Sequence, residues 1–398
     1  MSRPAPPARE DRLLEWRAEF PTTSATLHFI SHSLGAMPRA AEESLRHYAE
    51  TWTTRSIRAW EEQWFDLPAR LGDTIASIVG GEPGTVSIHP NTTLAQAAVL
   101  SALEFLSPRN RLVCTAEDFP SMLYLYEGLA RRGVEVVRVP PRAGQTIDER
   151  DVVAAVDERT ALVAISHVLF RTSQVLDIAP IVRRARETGA LVMLDAYQAV
   201  GAIPVDVRAL DVDMLAGGTI KWLCGGPGVG YLYVRPRLAP SLRPALTGWM
   251  GHERPFDFDP GPMRWSTGAR QFQTGTPSIP AVLAARPGTE IVAAIGAAAI
   301  REKSLRLTER LIGRADAFGF PLVSPREPDR RGGTVVLDVP DAAVVCRALL
   351  RAEVMLDHRP DVGLRLAPHF YTREDEVDEV MERVRDEVRR AAPRALPS

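Results

Sequence analysis

The stretches LVMLDAYQAVGAIPVDV (residues 191–207) and DMLAGGTIKWLCGGPGVGYLYV (residues 213–234) decide how the rest of the chain reads. Each holds a short apolar run closed by turn residues, the pattern of a strand buried on both faces rather than of a helix. The first run ends on Asp195. The second turns through Lys221, with Ile220 and Trp222 on either side, so a solvated surface lysine is a poor account of it. The GGPGVG that follows lacks the Lys-Ser/Thr of a phosphate-cradling Walker loop, and a tight turn into the next strand explains it better.

Similar runs at 85–89, 111–115, 135–139, 161–166, 190–195, 213–216 and 228–234 alternate with amphipathic helical stretches. That alternation predicts an α/β fold with a mostly parallel seven-stranded sheet and helices on both faces. Ligands in such sheets lie beyond the carboxyl ends of the strands, where His89, Ser166 and Asp195 fall. From about residue 285 the texture changes. A helical pattern through 300–314 is followed by strands near 332–339 and 363–367 and helices at 342–352 and 374–391, which predicts a smaller C-terminal α+β domain. The expected division is 1–50 as an N-terminal arm and the start of the small-domain region, 51–284 as the large cofactor-binding domain and 285–398 as the small one. Within the arm, the Pro-rich opening reads as flexible and 12–20 as a helix docking across the domains or onto a partner.

The 398 residues are 45% hydrophobic and 25% charged, ordinary for a globular chain of two domains. Lys+Arg 48 against Asp+Glu 50 gives a formal net charge of −2, so nothing in the balance points to nucleic acid or an anionic membrane surface. Cys114, Cys224 and Cys346 are scattered, without the spacing of a disulfide framework or a metal site. The first twenty residues lack the apolar core of a signal peptide, and a cytoplasmic location is expected.

A lysine in apolar surroundings and an aspartate at an upstream strand end together suggest pyridoxal 5'-phosphate (PLP). The amine can form a Schiff base with the cofactor aldehyde, and the carboxylate can keep the pyridine nitrogen protonated. Asn91, Thr92 and Thr93 follow a strand and open a helix, as a phosphate site or as a plain N-cap. Phe119 follows another strand, where it could cover a ring or belong to the core. Gln198 could donate to the phenolic oxygen of the cofactor or simply start a helix.

The ordered motifs NTTLA (91–95), EDFPS (117–121), DAYQAVGAIPVDV (195–207), KWLCGGPG (221–228), QFQTGTPSIP (271–280) and LRLAPHFYTREDEV (364–377) resemble the class V aminotransferase superfamily, fold type I of the PLP enzymes. SHSLGAMPRA (31–40), Phe119-Pro120 and GWMGHERPF (248–256) look most like its kynureninase branch. The resemblance implies Lys221 as Schiff-base lysine and Asp195 as partner of the ring nitrogen. It implies Phe119 stacked on the ring, Gln198 at the phenolic oxygen, Thr92 and Thr93 at the phosphate, and Thr276 reaching the phosphate of a neighbouring subunit in a homodimer. It further implies Arg365 as clamp for the carboxylate of an amino-acid substrate, with Trp249, Gly251 and His252 approaching the substrate side chain and His32 of the N-terminal motif also binding substrate.

Several positions depart from the kynureninase pattern. Ile220 replaces the Tyr before the lysine, Met122 an Asp, Gln198 a common His, Thr276 an Asn near the substrate ring, and His32 an Asn. Gln198 and the TGTP motif look more like the transaminase and desulfurase branches. A desulfurase needs a nucleophilic cysteine shortly before the clamp arginine, and 355–360 contains none. The expected activities are kynureninase-like hydrolysis of a β–γ carbon–carbon bond on an altered substrate, or the reaction of a class V aminotransferase or related lyase. A non-catalytic PLP-binding regulator would carry a basic DNA-binding module, for which the N-terminus leaves no room.

Overall fold

A computed structural model describes residues 11–143 and 145–391; the Pro-rich opening, 1–10, lies outside the described residues. Its centre is a seven-stranded sheet of β2 (Val86–His89), β3 (Arg111–Thr115), β4 (Glu135–Val139), β5 (Thr160–Ser166), β6 (Leu191–Asp195), β7 (Met214–Gly218) and β8 (Gly230–Val234), following a short β1 (Leu27–His28). The order is β2-β8-β7-β6-β5-β3-β4, and β8 alone runs antiparallel to its neighbours. β7 and β8 are buried along their whole length, which is why they read as continuous apolar runs rather than as alternating ones. β7 extends two residues past the predicted end, and β8 begins at Gly230 rather than 228. Gly228 sits at φ +102°, a turn conformation that ends the loop and not a strand one.

The C-terminal part holds a three-stranded sheet in the order β11 (Asp357–Arg359), β12 (Gly363–Leu366), β9 (Val335–Leu337). The predicted strand at 332–339 shortens to β9. β10 (Val354–Met355) pairs in parallel with β1, so a segment near the N-terminus is stitched to the C-terminal part. The helix Glu374–Ala391 buries Val377, Val380, Met381 and Val384, an i, i+3, i+4, i+7 stripe, against a second core containing Leu307, Leu311, Val345 and Leu349. Arg12–Glu19 forms a 3₁₀ helix in which Arg17 donates to the Tyr371 carbonyl and to both oxygens of Glu376. Among the described residues, no single helix is long and apolar enough to cross a membrane.

Candidate active site

The carboxyl ends of β2, β5, β6 and β7 bring His89, Ser166, Asp195 and Gly218 to one edge of the sheet, and Lys221 follows three residues past β7. The half-buried Lys221 places Nζ 4.2 Å from the centre of the Tyr197 ring and 5.7 Å from that of Phe119, so its ammonium lies between two π faces. Gly218 makes room for this: a Cβ there would lie 2.5 Å from the Tyr197 ring. Gly35 makes room on the other side, since its Cβ would meet the Lys221 carbonyl at 2.1 Å. The N-terminal SHSLG motif is therefore packed directly against the lysine's backbone, and Gly35 N–H donates to the Ile220 carbonyl at 2.8 Å.

Asp195 is buried. Its Oδ1 accepts from Tyr197 N–H at 3.0 Å and its Oδ2 from Gln96 Nε2 at 3.4 Å. Burial pushes its carboxyl above the ordinary range, against the Tyr197 N–H and the charge of Lys221. Burial pulls the Lys221 ammonium below its ordinary value, with the Asp195 charge opposing. A carboxylate so enclosed and met by neutral N–H groups suits a protonated pyridine nitrogen, and an amine whose proton is easily lost suits an aldehyde. These residues fit PLP.

Other predicted residues are placed as follows. Asn91 caps the helix Thr92–Leu100 by accepting from Leu94 N–H, and the Thr92 hydroxyl donates to the Gly217 carbonyl at 2.7 Å, leaving half-buried Thr93 the less committed hydroxyl. Phe119 is 42% exposed and meets Phe170 edge-on at 5.1 Å. The Gln198 amide is held at both ends, donating to the His32 carbonyl and accepting from the Trp222 indole, each at 3.0 Å, with one N–H still to give. Arg365 is buried, with its guanidinium on Asp357 and the Phe170 carbonyl. His32 is also buried, and its Nε2 lies 2.9 Å from Asp357 Oδ1.

Trp249 and His252 lie on a segment that adjoins the one leading to Thr276. The 3₁₀ turn Trp249–Gly251 packs on residues 271–274, with Met250 N–H donating to the Thr274 carbonyl. Trp249 stacks on Phe258, and His252 Nδ1 accepts from Arg254 N–H. Thr276 is exposed and borders a cavity of about 100 Å³ shared with His89, Pro90 and Gly228.

Four residues at the site escaped the sequence reading: Tyr197, Gln96, Phe170 and Asp357. Gln96 carried a signal, being a lone amide in the apolar run of TTLAQAAVL; it also accepts from the Tyr126 hydroxyl at 2.7 Å.

The family model for aminotransferase class-V matches residues 37–358. The chain belongs to that family. Among curated relatives, the kynureninase of Pseudomonas fluorescens is 32% identical over 362 residues, covering 88% of this chain and 86% of its own. That of Geobacillus thermodenitrificans is 32% identical over 392 residues, covering 94% and 91%. Among solved structures, the cysteine desulfurase of Thermococcus onnurineus NA1 superposes with TM-score 0.82 at 20% identity, covering 94% of this chain and 98% of its own. A C-DES mutant with glycine covalently linked to the PLP cofactor gives 0.83 at 23% identity, covering 93% and 99%. At those identities the structures establish fold type I. The chain is a PLP-dependent class V enzyme.

Proposed function

We propose that the protein is a kynureninase-like hydrolase that cleaves the β–γ bond of an amino acid bearing a γ-carbonyl, with a side chain different from that of kynurenine. The observation that carries this reading is the likeness to kynureninases, at 30–32% identity along 88–95% of the chain, together with the departures His32, Gln198, Ile220 and Thr276 around the site. Cys346, the cysteine nearest to Arg365 in sequence, is buried with its Sγ against the Leu356 carbonyl. Burial raises its pKa, which argues against a persulfide-forming nucleophile.

When bound, PLP supplies an aldehyde for amines and a ring that draws electrons from the carbon bearing the amine. In this reading Lys221 holds the aldehyde until substrate arrives and then carries the proton of the substrate α-carbon. Asp195 keeps a proton on the ring nitrogen, and Tyr197 N–H and Gln96 keep Asp195 in place. Phe119 covers a ring face, Thr92 and Thr93 with the helix N–H groups take the phosphate, and Gln198 gives its remaining N–H to the phenolic oxygen. Arg365 takes the substrate carboxylate. Water adds to the γ-carbonyl and the β–γ bond breaks, giving a carboxylic acid and, from an unbranched substrate, alanine.

We place Trp249, His252 and Thr276 in the site of a second copy, as a homodimer with shared sites requires. Exposed Phe256 (49%) and Phe258 (72%), packed with Trp249, support burial against such a copy. Incubation with L-kynurenine should yield some anthranilate and alanine. Transamination between an amino donor and a 2-oxo acid, without any carboxylic acid product, would replace this reading by the aminotransferase one. Lys221→Ala should abolish the visible absorption of the internal lysine adduct, and an unchanged spectrum would remove Lys221 from its role.

A further inference from the structure

The buried guanidinium of Arg365 already has a carboxylate, and it belongs to the protein. Nε donates to Asp357 Oδ1 at 2.8 Å and Nη2 to Asp357 Oδ2 at 2.7 Å, while Nη1 donates to the Phe170 carbonyl at 2.6 Å. The pairing is written into the backbone. Asp357 and Arg365 are directly opposite each other in the antiparallel ladder of β11 and β12, where cross-strand side chains lie close enough to interact.

Two roles are open to such a carboxylate: competitor for the clamp, or brace for it. Counting donors favours the brace. A guanidinium has five N–H bonds, of which three are committed, and one hydrogen remains on each terminal nitrogen. Asp357 lies along the Nε/Nη2 side of the fork, so it leaves Nη1 and Nη2 each with a donor for another carboxylate. Counting charge agrees. Arg359 Nη2 lies 3.2 Å from Asp357 Oδ2, so two guanidinium groups share one carboxylate and the cluster keeps a positive charge for an incoming anion.

Asp357 is itself anchored. Burial and the charge of Arg365 keep His32 neutral, so Nε2–H donates to Asp357 Oδ1 at 2.9 Å. Burial alone would raise the Asp357 carboxyl, but hydrogen bonds from His32 and Arg365 outweigh it and hold the group ionised, well below the usual carboxylate range. The His32 ring is 1% exposed on its side-chain surface and meets Asp357, the more accessible partner of the pair.

We propose that Asp357, anchored by His32, is a positioning residue that turns the free end of the Arg365 fork toward the carboxylate of the amino-acid substrate. The proposal rests on reading Arg365 as the carboxylate clamp, and its test separates the two. Holoenzyme is titrated calorimetrically with L-alanine and with L-alaninamide, which differ at the carboxylate; the affinity ratio isolates the clamp. Asp357→Asn should weaken L-alanine about 10- to 100-fold and L-alaninamide by less than about threefold, the loss of one to two decades expected when a charge-assisted contact is misaligned. His32→Ala, which leaves Asp357 and Arg365 in place, should move the ratio the same way by several-fold, and serves if Asp357→Asn does not fold. Tighter L-alanine binding in Asp357→Asn would make the aspartate a competitor and overturn the proposal, as would equal weakening of both ligands or a ratio unmoved by either variant. Absence of discrimination in the unsubstituted holoenzyme, or a ratio unmoved by Arg365→Lys, would remove the clamp itself and the proposal with it.

Discussion

Acid should unfold this protein early, because it buries most of its histidines uncharged. Of eight histidines, burial pulls His28, His89 and His167 down to about 4 and His32 and His369 to about 3, from an ordinary 6.5. The sign follows from linkage. These groups have folded pKa values below their unfolded ones, so between about pH 6.5 and 4 the unfolded chain binds protons that the folded chain refuses. Their contribution is whole above pH 6.5 and is lost as pH falls. Each withheld proton costs about 1.4 kcal/mol per pH unit, so five together give a slope of roughly 6 to 7 kcal/mol per unit near pH 5. Against a typical stability of 5–15 kcal/mol, that is enough to unfold the chain between about pH 4 and 5.5. Paired carboxylates such as Asp357 add to the loss only at lower pH. Urea midpoints followed by circular dichroism at pH 7.5, 6.5, 5.5 and 4.5, at one protein and cofactor concentration, read the slope directly. His369→Gln, which keeps a donor toward the Trp222 carbonyl that His369 Nε2 meets at 2.9 Å, should lower the slope by about one proton. A stability flat from pH 7 to 5, or an unchanged slope in His369→Gln, would refute the argument that these rings are held neutral.

Gly35→Ala should displace the backbone at Lys221, since the new Cβ would sit 2.1 Å from the Lys221 carbonyl; loss of the cofactor's visible band with a retained fold is the expected readout. Gln96→Leu leaves the Tyr126 hydroxyl buried without its acceptor, at a cost of about 1–3 kcal/mol in urea unfolding. It also takes an N–H from Asp195, so the pH dependence of the cofactor band should shift upward. Arg17→Met strips the nearly buried Glu376 of its strongest partner and should cost roughly 3 kcal/mol, measured by the same unfolding assay.

Most of the sheet was legible because its inner strands are buried on both faces and read as apolar runs, as in β5, β6, β7 and β8. The edge strand β4, EVVRV, is only partly buried, and its β-branched residues between turn signals marked it instead. β1, β10 and β11 were not legible. They are two or three residues long, and their pairing is decided by partners hundreds of residues away or by the neighbouring turn, which no local pattern records. Among the site residues, Lys221 and Asp195 stood out as polar groups at apolar strand ends. Tyr197 and Asp357 did not, because an aromatic after a strand and an aspartate beside an arginine are common on any surface. What gives Tyr197 its place is Gly218, and what gives Asp357 its place is the register of β11 on β12.

The parts of the site differ in what they can decide. In the proposed reading Lys221, Asp195 and the helix start at Thr92 serve the cofactor, whose chemistry hydrolysis and transamination share. Choice of substrate has to come from groups that touch its carboxylate and its side chain. Arg365, proposed above as the carboxylate clamp, is tied through Asp357 to His32, where the kynureninase-like motif would carry an Asn, and an amide in place of the ring would meet Asp357 with a different reach. The same segment, 31–35, also presses on the Lys221 carbonyl through Gly35 and holds Gln198 through the His32 carbonyl. The motif therefore bears on Asp357 through the His32 side chain, on the lysine's backbone through Gly35, and on the Gln198 amide through the His32 backbone carbonyl, which a side-chain substitution at His32 leaves in place. Exchanging His32 for Asn should then alter carboxylate affinity while leaving the cofactor spectrum unchanged.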